Sequence, residues 1–198
     1  MNTKLFFVSI LLVLFSPGCD ENSTNGSLST TSYIIPLALN NSWTYKMEMY
    51  DSLGNIDTIQ TFTLVVIRDT TINSEKWYSF SPQTVGYTNR SDGYYSYSEQ
   101  PILEYKYPAI AGDSIVVTQY LTRRVLSTNK SISVNGNNYT TYEYFDSYNT
   151  TSTQWTTYIV PNVGQVRIET TRLNSKSQRY LRSRMEFTPF FGQRVKPI

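Results

Sequence analysis

Residues 42–50 read SWTYKMEMY, and the alternation in this stretch decides the fold class. Every second residue is apolar, and side chains at every second position share one face of a strand: Trp43, Tyr45, Met47 and Met49. The turn sequence DSLGN follows at 51–55, and DTIQTFTLVVIRD at 57–69 reads as a second strand. We therefore predict a hairpin with one apolar face and one wetted face, as in an antiparallel sheet.

Similar short segments continue to the end of the chain. They are rich in β-branched and aromatic residues, and turn residues separate them: EKWYSFS (75–81), DGYYSYSEQ (92–100), ILEYKYP (102–108), SIVVTQYLTRRVLS (114–127), NYTTYEYFDSY (138–148), QWTTYIVP (154–161), QVRIETTR (165–172) and RYLRSRMEF (179–187). The dipeptide Asn135-Gly136 is a strong signal for a two-residue hairpin turn. After the first 30 residues, no window of twelve has a convincing helical period. The sequence therefore predicts a single all-β domain of about ten antiparallel strands in a strongly curved sheet, half-barrel or barrel-like.

The last two strands are joined by NSKS at 174–177, and this loop predicts the register of the closing hairpin. A four-residue loop places Leu173 opposite Gln178. In that register, four further pairs of residues lie opposite each other. They are Val166–Met185 and Ile168–Ser183 on the inner face, and Arg167–Arg184 and Glu169–Arg182 on the outer face. The outer face would then be a basic strip that carries Arg167, Arg172, Arg179, Arg182 or Arg184. We interpret it as a solvated strand face; a patch for anionic lipid or polysaccharide is the alternative.

The only cysteine, Cys19, lies directly after an apolar run. A basic start, this apolar run and small residues before the cysteine have the layout of a secretory signal peptide over residues 1–18, and the run is too short to span a bilayer. The segment resembles the lipobox type of bacterial lipoprotein signal, with Ser16 where leucine is commonest and an unusual Pro17. The resemblance implies a diacylglycerol on the thiol of Cys19 and acylation of its new amino group after cleavage. An ordinary cleaved signal that leaves a free thiol is the alternative.

Residues 20–32 read DENSTNGSLSTTS and contain no large aromatic or β-branched apolar residue. Such a segment cannot bury enough surface to order itself, so we predict a lipidated cysteine and flexible tether at 19–32. The tether would reach about 20 Å and would connect the membrane anchor to the all-β domain at 33–198. The predicted location is the bacterial cell envelope, periplasmic or surface-facing, with the outer membrane favoured over the inner membrane.

Two segments of the domain resemble parts of many uncharacterised bacterial envelope lipoproteins. YIIPLALNNSWTY (33–45) resembles their opening segment and matches it at Asn41, Trp43 and Tyr45, with Asn40 in place of a glycine. YIVPNVGQVRIE (158–169) resembles their closing segment, with Asn162 in place of a glycine. Those proteins are distantly similar to the LolA and LolB type of carriers for lipoproteins and lipids. The resemblance implies a curved half-barrel sheet, although this chain has no segment that predicts the helices of those carriers.

The composition restricts the chemistry that the domain can perform. Histidine is absent, which removes the commonest general base and the commonest zinc ligand. Three turn acids, Asp51, Asp57 and Asp113, do not establish a catalytic carboxylate pair, because turn aspartates ordinarily bond their own backbone. No loop alternates acidic residues as a dedicated calcium site does. We therefore predict a non-enzymatic protein without a metal or a cofactor.

Tyrosine, present 17 times, is the remaining residue type that could form a functional site. One interpretation is packing in the core and across strands. The other is a lined cavity, since tyrosine is apolar on its face and polar at its tip. Nucleic acid is not an expected partner, because the aromatic and the basic residues occupy different parts of the chain. The candidate ligand-binding residues are Trp43, Tyr45, Met47, Tyr142 and Tyr144.

The leading functional hypothesis is a membrane-anchored binding or carrier module for an apolar or glycan ligand. The alternative is a structural or assembly lipoprotein that binds another envelope protein through its strand edges or its basic end.

Overall fold

The computed structural model describes residues 32–83, 85–148 and 151–189. The predicted signal peptide at 1–18, Cys19 and the predicted tether up to Thr31 lie outside these residues. The described part is a single all-β domain, which confirms the predicted fold class, and it contains no helix. No segment of the described ranges is therefore a helix that is long and apolar enough to cross a bilayer.

Twelve antiparallel strands make up the described part of the chain. Their bounds are β1 Ser42–Tyr50, β2 Ile56–Ile72, β3 Glu75–Ser81, β4 Gly86–Arg90, β5 Gly93–Tyr97, β6 Pro101–Lys106, β7 Ser114–Thr118, β8 Leu121–Val134, β9 Asn137–Tyr148, β10 Gln154–Val160, β11 Gly164–Leu173 and β12 Arg179–Phe187.

All twelve strands belong to one sheet, in the order β6-β5-β4-β3-β2-β1-β12-β11-β10-β9-β8-β7. Strands that follow each other in sequence are paired, except for β6 and β7. The first strand, β1, is also paired with the last, β12, in the middle of the sheet. The sheet curls into a nearly closed barrel shape. Among the described strands, the ladder is interrupted between β6 and β7.

Side chains bridge this interruption, which we call the seam. Tyr144 on β9 donates its hydroxyl to the carbonyl oxygen of Lys106 at 2.8 Å. Arg123 on β8 donates to the carbonyl oxygen of Glu104. The ammonium group of Lys106 lies 2.9 Å from a carboxylate oxygen of Asp113, in the connection between the two strands. Two carbonyl groups of β6 thereby obtain the partners that an edge strand lacks.

Two strands differ from the sequence prediction. GYTNR forms β4, which the pattern missed because its buried positions are Gly86 and Thr88 rather than large apolar residues. The segment 114–127, predicted as one strand, divides at a turn that contains Gln119 and Tyr120. The second part, β8, continues to the predicted hairpin turn through irregularities in its pairing with β9.

The predicted register of the closing hairpin is wrong by two residues. Ile168 lies opposite Met185, not Ser183, and the outer-face pairs are Arg167–Glu186 and Glu169–Arg184. The loop has five residues instead of four, and the side-chain oxygen of Asn174 accepts the backbone N–H groups of Lys176 and Gln178. An irregularity between Thr170 and Thr171 adds the remaining shift. The observed register replaces a predicted contact between like charges with two ion pairs, at 2.6 and 3.0 Å.

The predicted basic strip is therefore interrupted by carboxylates and by backbone carbonyls. Arg167 and Arg184 are paired with Glu186 and Glu169. Arg182 donates to the carbonyl oxygen of Tyr50 at 2.9 Å. Much of the positive charge of this face is thus engaged within the domain.

Val166 also differs from its predicted position on the inner face opposite Met185. It is fully buried in a second, smaller cluster with Ile132, Val134 and Tyr158. The pairing of β10 with β11 is irregular at this point, because Tyr158 lies opposite Arg167 while the next residue of β10 lies opposite Gln165. Val166 is the extra residue of this bulge, and a bulge changes the direction of a side chain.

The main core includes Trp43 and Tyr45, each 2% exposed, which confirms the predicted inner face of β1 at these two positions. Met47 and Met49, predicted on the same face, are half-buried. The segment that precedes β1 also enters this core, where Ile34 and Leu37 are each 1% exposed. The interior of the sheet is thus filled by the segment that precedes β1 as well as by strand side chains.

The segments at 33–45 and 158–169 contact each other. The indole N–H of Trp43 donates to the carbonyl oxygen of Val163 at 2.7 Å. The backbone N–H of Tyr33 donates to the side-chain oxygen of Asn162 at 3.0 Å. Asn162 has a φ of 63°, a left-handed conformation that asparagine adopts more readily than most residues. These contacts give both segments a structural role, which is to fix the indole of Trp43 against the turn before β11.

Candidate functional site

A cavity of about 240 Å³ lies inside the barrel, next to Trp43. Its lining is mainly aromatic, with two amides and one carboxylate: Ile35, Trp43, Tyr45, Leu64, Phe80, Gln83, Tyr87, Tyr94, Glu104, Tyr105 and Gln165. Gln83 is exposed, so the cavity reaches the surface on this side. The alternation along each strand places these side chains together, because inward positions of neighbouring strands face the same interior.

The aromatic rings form a continuous row from β1 to β6. The ring centroids are 5.7 Å apart for Trp43 and Phe80, and 5.2 Å apart for Phe80 and Tyr87. Tyr87 stacks on Tyr94 at 5.4 Å, and Tyr94 lies 6.3 Å from Tyr105. These distances are typical of favourable aromatic pairs, so the row forms a stable wall.

Most polar atoms of the cavity are paired with one another. Tyr45 donates its hydroxyl to the carbonyl oxygen of Gln165 at 3.1 Å. The side-chain amide of Gln165 donates to the hydroxyl of Tyr105 at 3.1 Å. Tyr87 donates its hydroxyl to the side-chain oxygen of Gln83, also at 3.1 Å. The side-chain amides of Gln165 and Gln83 therefore hold Tyr105 and Tyr87 in place, and the backbone of Gln165 holds Tyr45.

The tyrosines of the cavity stay uncharged over the physiological pH range. Burial raises the pKa of the Tyr94 hydroxyl well above its ordinary value, and the nearby Tyr87, Tyr105 and Glu104 add to this effect. Burial also raises the pKa of Tyr45 and of Tyr105. Neutral phenols donate and accept hydrogen bonds and keep the electron-rich character of their rings.

Glu104 enters the interior through a bulge in β6. Tyr94 lies opposite Tyr105 and the next residue of β5 lies opposite Leu103, so Glu104 is the extra residue. One carboxylate oxygen accepts the hydroxyl of Ser96 at 2.7 Å. The other lies 3.3 Å from a guanidinium nitrogen of Arg123.

Arg123 forms the polar centre behind the aromatic wall. Its guanidinium donates to both carboxylate oxygens of Asp146, at 2.6 and 2.7 Å. Its central carbon lies 4.0 Å from the centroid of the Tyr105 ring, a cation–π contact. Burial opposes the charged form, but Tyr105, Asp146 and Glu104 together raise the pKa of Arg123 above its ordinary value. Arg123 is therefore a permanent cation, and two carboxylates surround it.

The predicted ligand-binding residues divide into two groups. Trp43 and Tyr45 line the cavity. Met47 is half-buried on β1 between Gln60 and Met185, and it does not line the cavity.

The two predicted residues of β9 lie elsewhere in the interior. Tyr144 is buried, and its hydroxyl is used at the seam. Tyr142 is half-buried, with its ring centroid 5.3 Å from that of Tyr107.

The predicted ligand-binding set does not include the other nine lining residues of the cavity, which are Ile35, Leu64, Phe80, Gln83, Tyr87, Tyr94, Glu104, Tyr105 and Gln165. Alternation within EKWYSFS was a usable signal for Phe80. No sequence signal identified Glu104, because a bulge reverses the facing that alternation predicts. Gln165 follows the glycine of the closing segment, and only the pairing across the barrel brings it to the cavity.

Both carboxylates near the cavity are engaged by other side chains. Asp146 is tied to Arg123 and Glu104 is tied to Ser96 and Arg123, so the two carboxylates share one guanidinium. Within the ranges described by the structure, no group of three or more carboxylate, cysteine or histidine side chains could hold a metal ion. The cavity offers aromatic surface, neutral hydroxyls and one carboxylate to a bound molecule.

Comparisons with known proteins give two similar folds. A Bacteroides fragilis protein that is predicted to be exported and has a YmcC-like fold is 12% identical, with a TM-score of 0.49, over 79% of this chain and 97% of that chain. A predicted lipoprotein from Parabacteroides distasonis is also 12% identical, with a TM-score of 0.40, over 79% of this chain and 97% of that chain. No protein-family model and no curated protein matches the sequence.

Proposed function

We propose that this chain is a non-enzymatic lipoprotein of the bacterial envelope whose domain binds a small ligand in the cavity beside Trp43. The cavity carries this proposal, because a volume of about 240 Å³ in the barrel is lined by aromatic rings and a few polar groups. Binding sites for small molecules have this character. The rings suit an apolar ligand, and a glycan, the other ligand class considered, would have to compete for hydroxyls and amides that already bond one another.

The anchor is a separate part of the proposal and rests on the sequence around Cys19. If Cys19 is acylated, the domain is held at the outer membrane or another envelope membrane. Cys19→Ser should move the protein from the membrane fraction to the soluble or the unprocessed fraction. Unchanged membrane association of a processed Cys19→Ser protein would rule out the anchor.

Native mass spectrometry of the purified full chain tests the binding function. We expect a bound lipid, glycan or other small molecule to accompany the wild-type protein. Leu64→Trp should reduce this adduct, because Leu64 lines the cavity and a larger ring would fill it. Leu126→Trp is the matched control, since Leu126 is 45% exposed on β8 and does not line the cavity. An adduct that persists equally in both variants would place the ligand elsewhere.

A second candidate function is the binding of another envelope protein along a strand edge. Residues 56–64 of β2 pair with β1 on one side, whereas β3 pairs only with residues from Val65 onward. Ile56 and Ile59 on this edge are 52% and 53% exposed. No strand in the described part of the chain pairs with the other side of this segment, and such an edge is a site at which an added strand could pair. Ile59→Lys should abolish such an interaction in crosslinking experiments and should leave the ligand adduct unchanged.

A further inference from the structure

We infer that the cavity beside Trp43 selects an apolar organic cation, such as a trimethylammonium group. This inference rests on the proposed ligand-binding function and names the class of ligand. It follows from the charge around the cavity, from the aromatic wall and from the small number of free polar atoms.

The charge of the interior favours a cation. Glu104 and Asp146 face a single guanidinium, that of Arg123, so one negative charge remains uncompensated. Asp146 holds Arg123 in a two-point contact, which leaves Glu104 as the carboxylate that faces the cavity.

Three nearby cations on the neighbouring strands do not supply the missing positive charge. Arg90 is paired with Glu75 at 2.7 Å, Lys106 is paired with Asp113 at 2.9 Å, and Arg124 is exposed on β8. A positively charged ligand would therefore neutralise Glu104.

The wall of the cavity is of the type that binds cations. Six of its lining residues are aromatic: Trp43, Tyr45, Phe80, Tyr87, Tyr94 and Tyr105. The contact between Arg123 and the ring of Tyr105 shows that this wall already holds one cation. Quaternary ammonium groups are recognised in cages of aromatic rings for the same electrostatic reason.

The pairing of the polar atoms argues against a sugar ring. A sugar presents several hydroxyl groups, and each of them loses a hydrogen bond to water unless the site replaces it. Tyr45, Tyr87 and Tyr105 are engaged with Gln165 or Gln83. A trimethylammonium group has no hydrogen-bond donor and needs none of these atoms. The volume of about 240 Å³ accommodates such a group with a short substituent, because an engineered cavity of roughly 150 Å³ already holds benzene.

Isothermal titration calorimetry on the full chain tests the inference. The protein is kept in a polyoxyethylene detergent, which carries neither a charge nor a sugar. The probes are choline, its neutral isostere 3,3-dimethyl-1-butanol, phosphocholine and glucose. We expect choline to bind at least about tenfold more tightly than the neutral isostere. Phosphocholine distinguishes the two sources of the group, since tighter binding of phosphocholine than of choline indicates a lipid headgroup and weaker binding indicates a free cation.

Glu104→Gln is the decisive variant, because it removes the charge and keeps the shape and the acceptor for Ser96. It should weaken choline binding about tenfold and leave the neutral isostere unaffected, which also shows that the cavity is intact. Glu99→Gln is the matched control, since Glu99 is exposed in the loop between β5 and β6. Binding of the neutral isostere or glucose as tight as that of choline overturns the inference and leaves the binding function standing. Failure of all four probes, together with a wild-type protein that carries no adduct, overturns both.

Discussion

Removal of the Asp146 carboxylate should destabilise the domain far more than removal of a similar carboxylate near the surface. Asp146 accepts two hydrogen bonds from Arg123, and the two side chains are only 9% and 7% exposed. Without the carboxylate, Arg123 stays charged and buried, and its one remaining contact with an anion is the longer one to the carboxylate of Glu104. The carbonyl oxygen of Glu104 and the ring of Tyr105 stay in contact with it but carry no charge. Breaking a buried ion pair in this way costs about 3–5 kcal/mol. We expect Asp146→Ala to lower the free energy of unfolding by this amount.

Replacement of both partners by apolar residues should cost much less. The penalty in the single variant comes from an uncompensated charge, and Arg123→Met with Asp146→Leu removes the charge as well as the contact. The double variant should lie within about 2 kcal/mol of the wild type. Part of this loss comes from the carbonyl oxygen of Glu104 at the seam, which loses its donor at a cost of about 1 kcal/mol. A double-mutant cycle with the single variants Arg123→Met and Asp146→Leu should therefore give a coupling energy of at least about 2 kcal/mol.

Urea denaturation at neutral pH, followed by tryptophan fluorescence, measures these effects. Glu75→Ala is the control, because Glu75 also accepts two hydrogen bonds from one arginine, Arg90, at 2.8 and 2.7 Å. Those side chains are 30% and 35% exposed, so solvent screens the pair and the loss should not exceed about 1 kcal/mol. Equal losses for Asp146→Ala and Glu75→Ala would refute the reasoning. A double variant no more stable than Asp146→Ala would refute it as well.

Three further predictions concern the core, the register and a close backbone approach. Trp43→Ala should lower the free energy of unfolding by about 3–5 kcal/mol, and Trp43→Phe by about 1–2 kcal/mol through loss of the indole hydrogen bond; wild-type melting of Trp43→Ala would contradict its burial. Exchange of the charges of Arg167 and Glu186 should restore most of the stability that either single reversal loses, with a coupling of about 0.5–1 kcal/mol in a double-mutant cycle, and zero coupling would contradict their pairing. Gly93→Ala should cost about 2 kcal/mol more than Gly112→Ala in the same denaturation assay, because a Cβ at Gly93 meets the Tyr105 carbonyl oxygen and lies 2.6 Å from Leu103 Cδ1, whereas Gly112 faces open space. Equal losses of unfolding free energy for the two substitutions would show that the backbone of β6 moves to accommodate the added Cβ.

Much of the fold could be predicted because the signals are local. The alternation of Trp43, Tyr45 and Met47 needs only the two-residue period of a strand, and it identified the inner face of β1. The turn at Asn135-Gly136 has φ values of 49° and 79°, as a two-residue hairpin turn requires. Both signals depend on the chemistry of adjacent residues, so they are present in the sequence itself.

The register of the closing hairpin shows where local reasoning failed. The loop length was inferred from the polar residues NSKS, but the side chain of Asn174 closes a longer loop. A usable signal was nevertheless present. The register observed is one in which Arg167 meets Glu186 and Glu169 meets Arg184, so opposite charges could have selected it over a register that opposes two arginines.

The candidate site was predicted only in part, for a related reason. Trp43 and Tyr45 were identified from one strand, and they do line the cavity. Whether they bind a ligand stays a prediction. The carboxylate of Glu104 could not be found in this way, since it depends on a bulge that appears only when β5 and β6 are paired.

The sequence by itself determined the all-β class, the inner face of the first strand and the candidate anchor at Cys19, because strand period, turn chemistry and signal-peptide layout are properties of neighbouring residues. Only the tertiary structure decided which strands meet. It joined β1 to β12, left the seam between β6 and β7, and brought Arg123 against Asp146 and Glu104 behind an aromatic wall. The physical reason is that side chains far apart in the chain together form the cavity and set its net charge. The curvature of the closed sheet fixes which of these side chains share one interior.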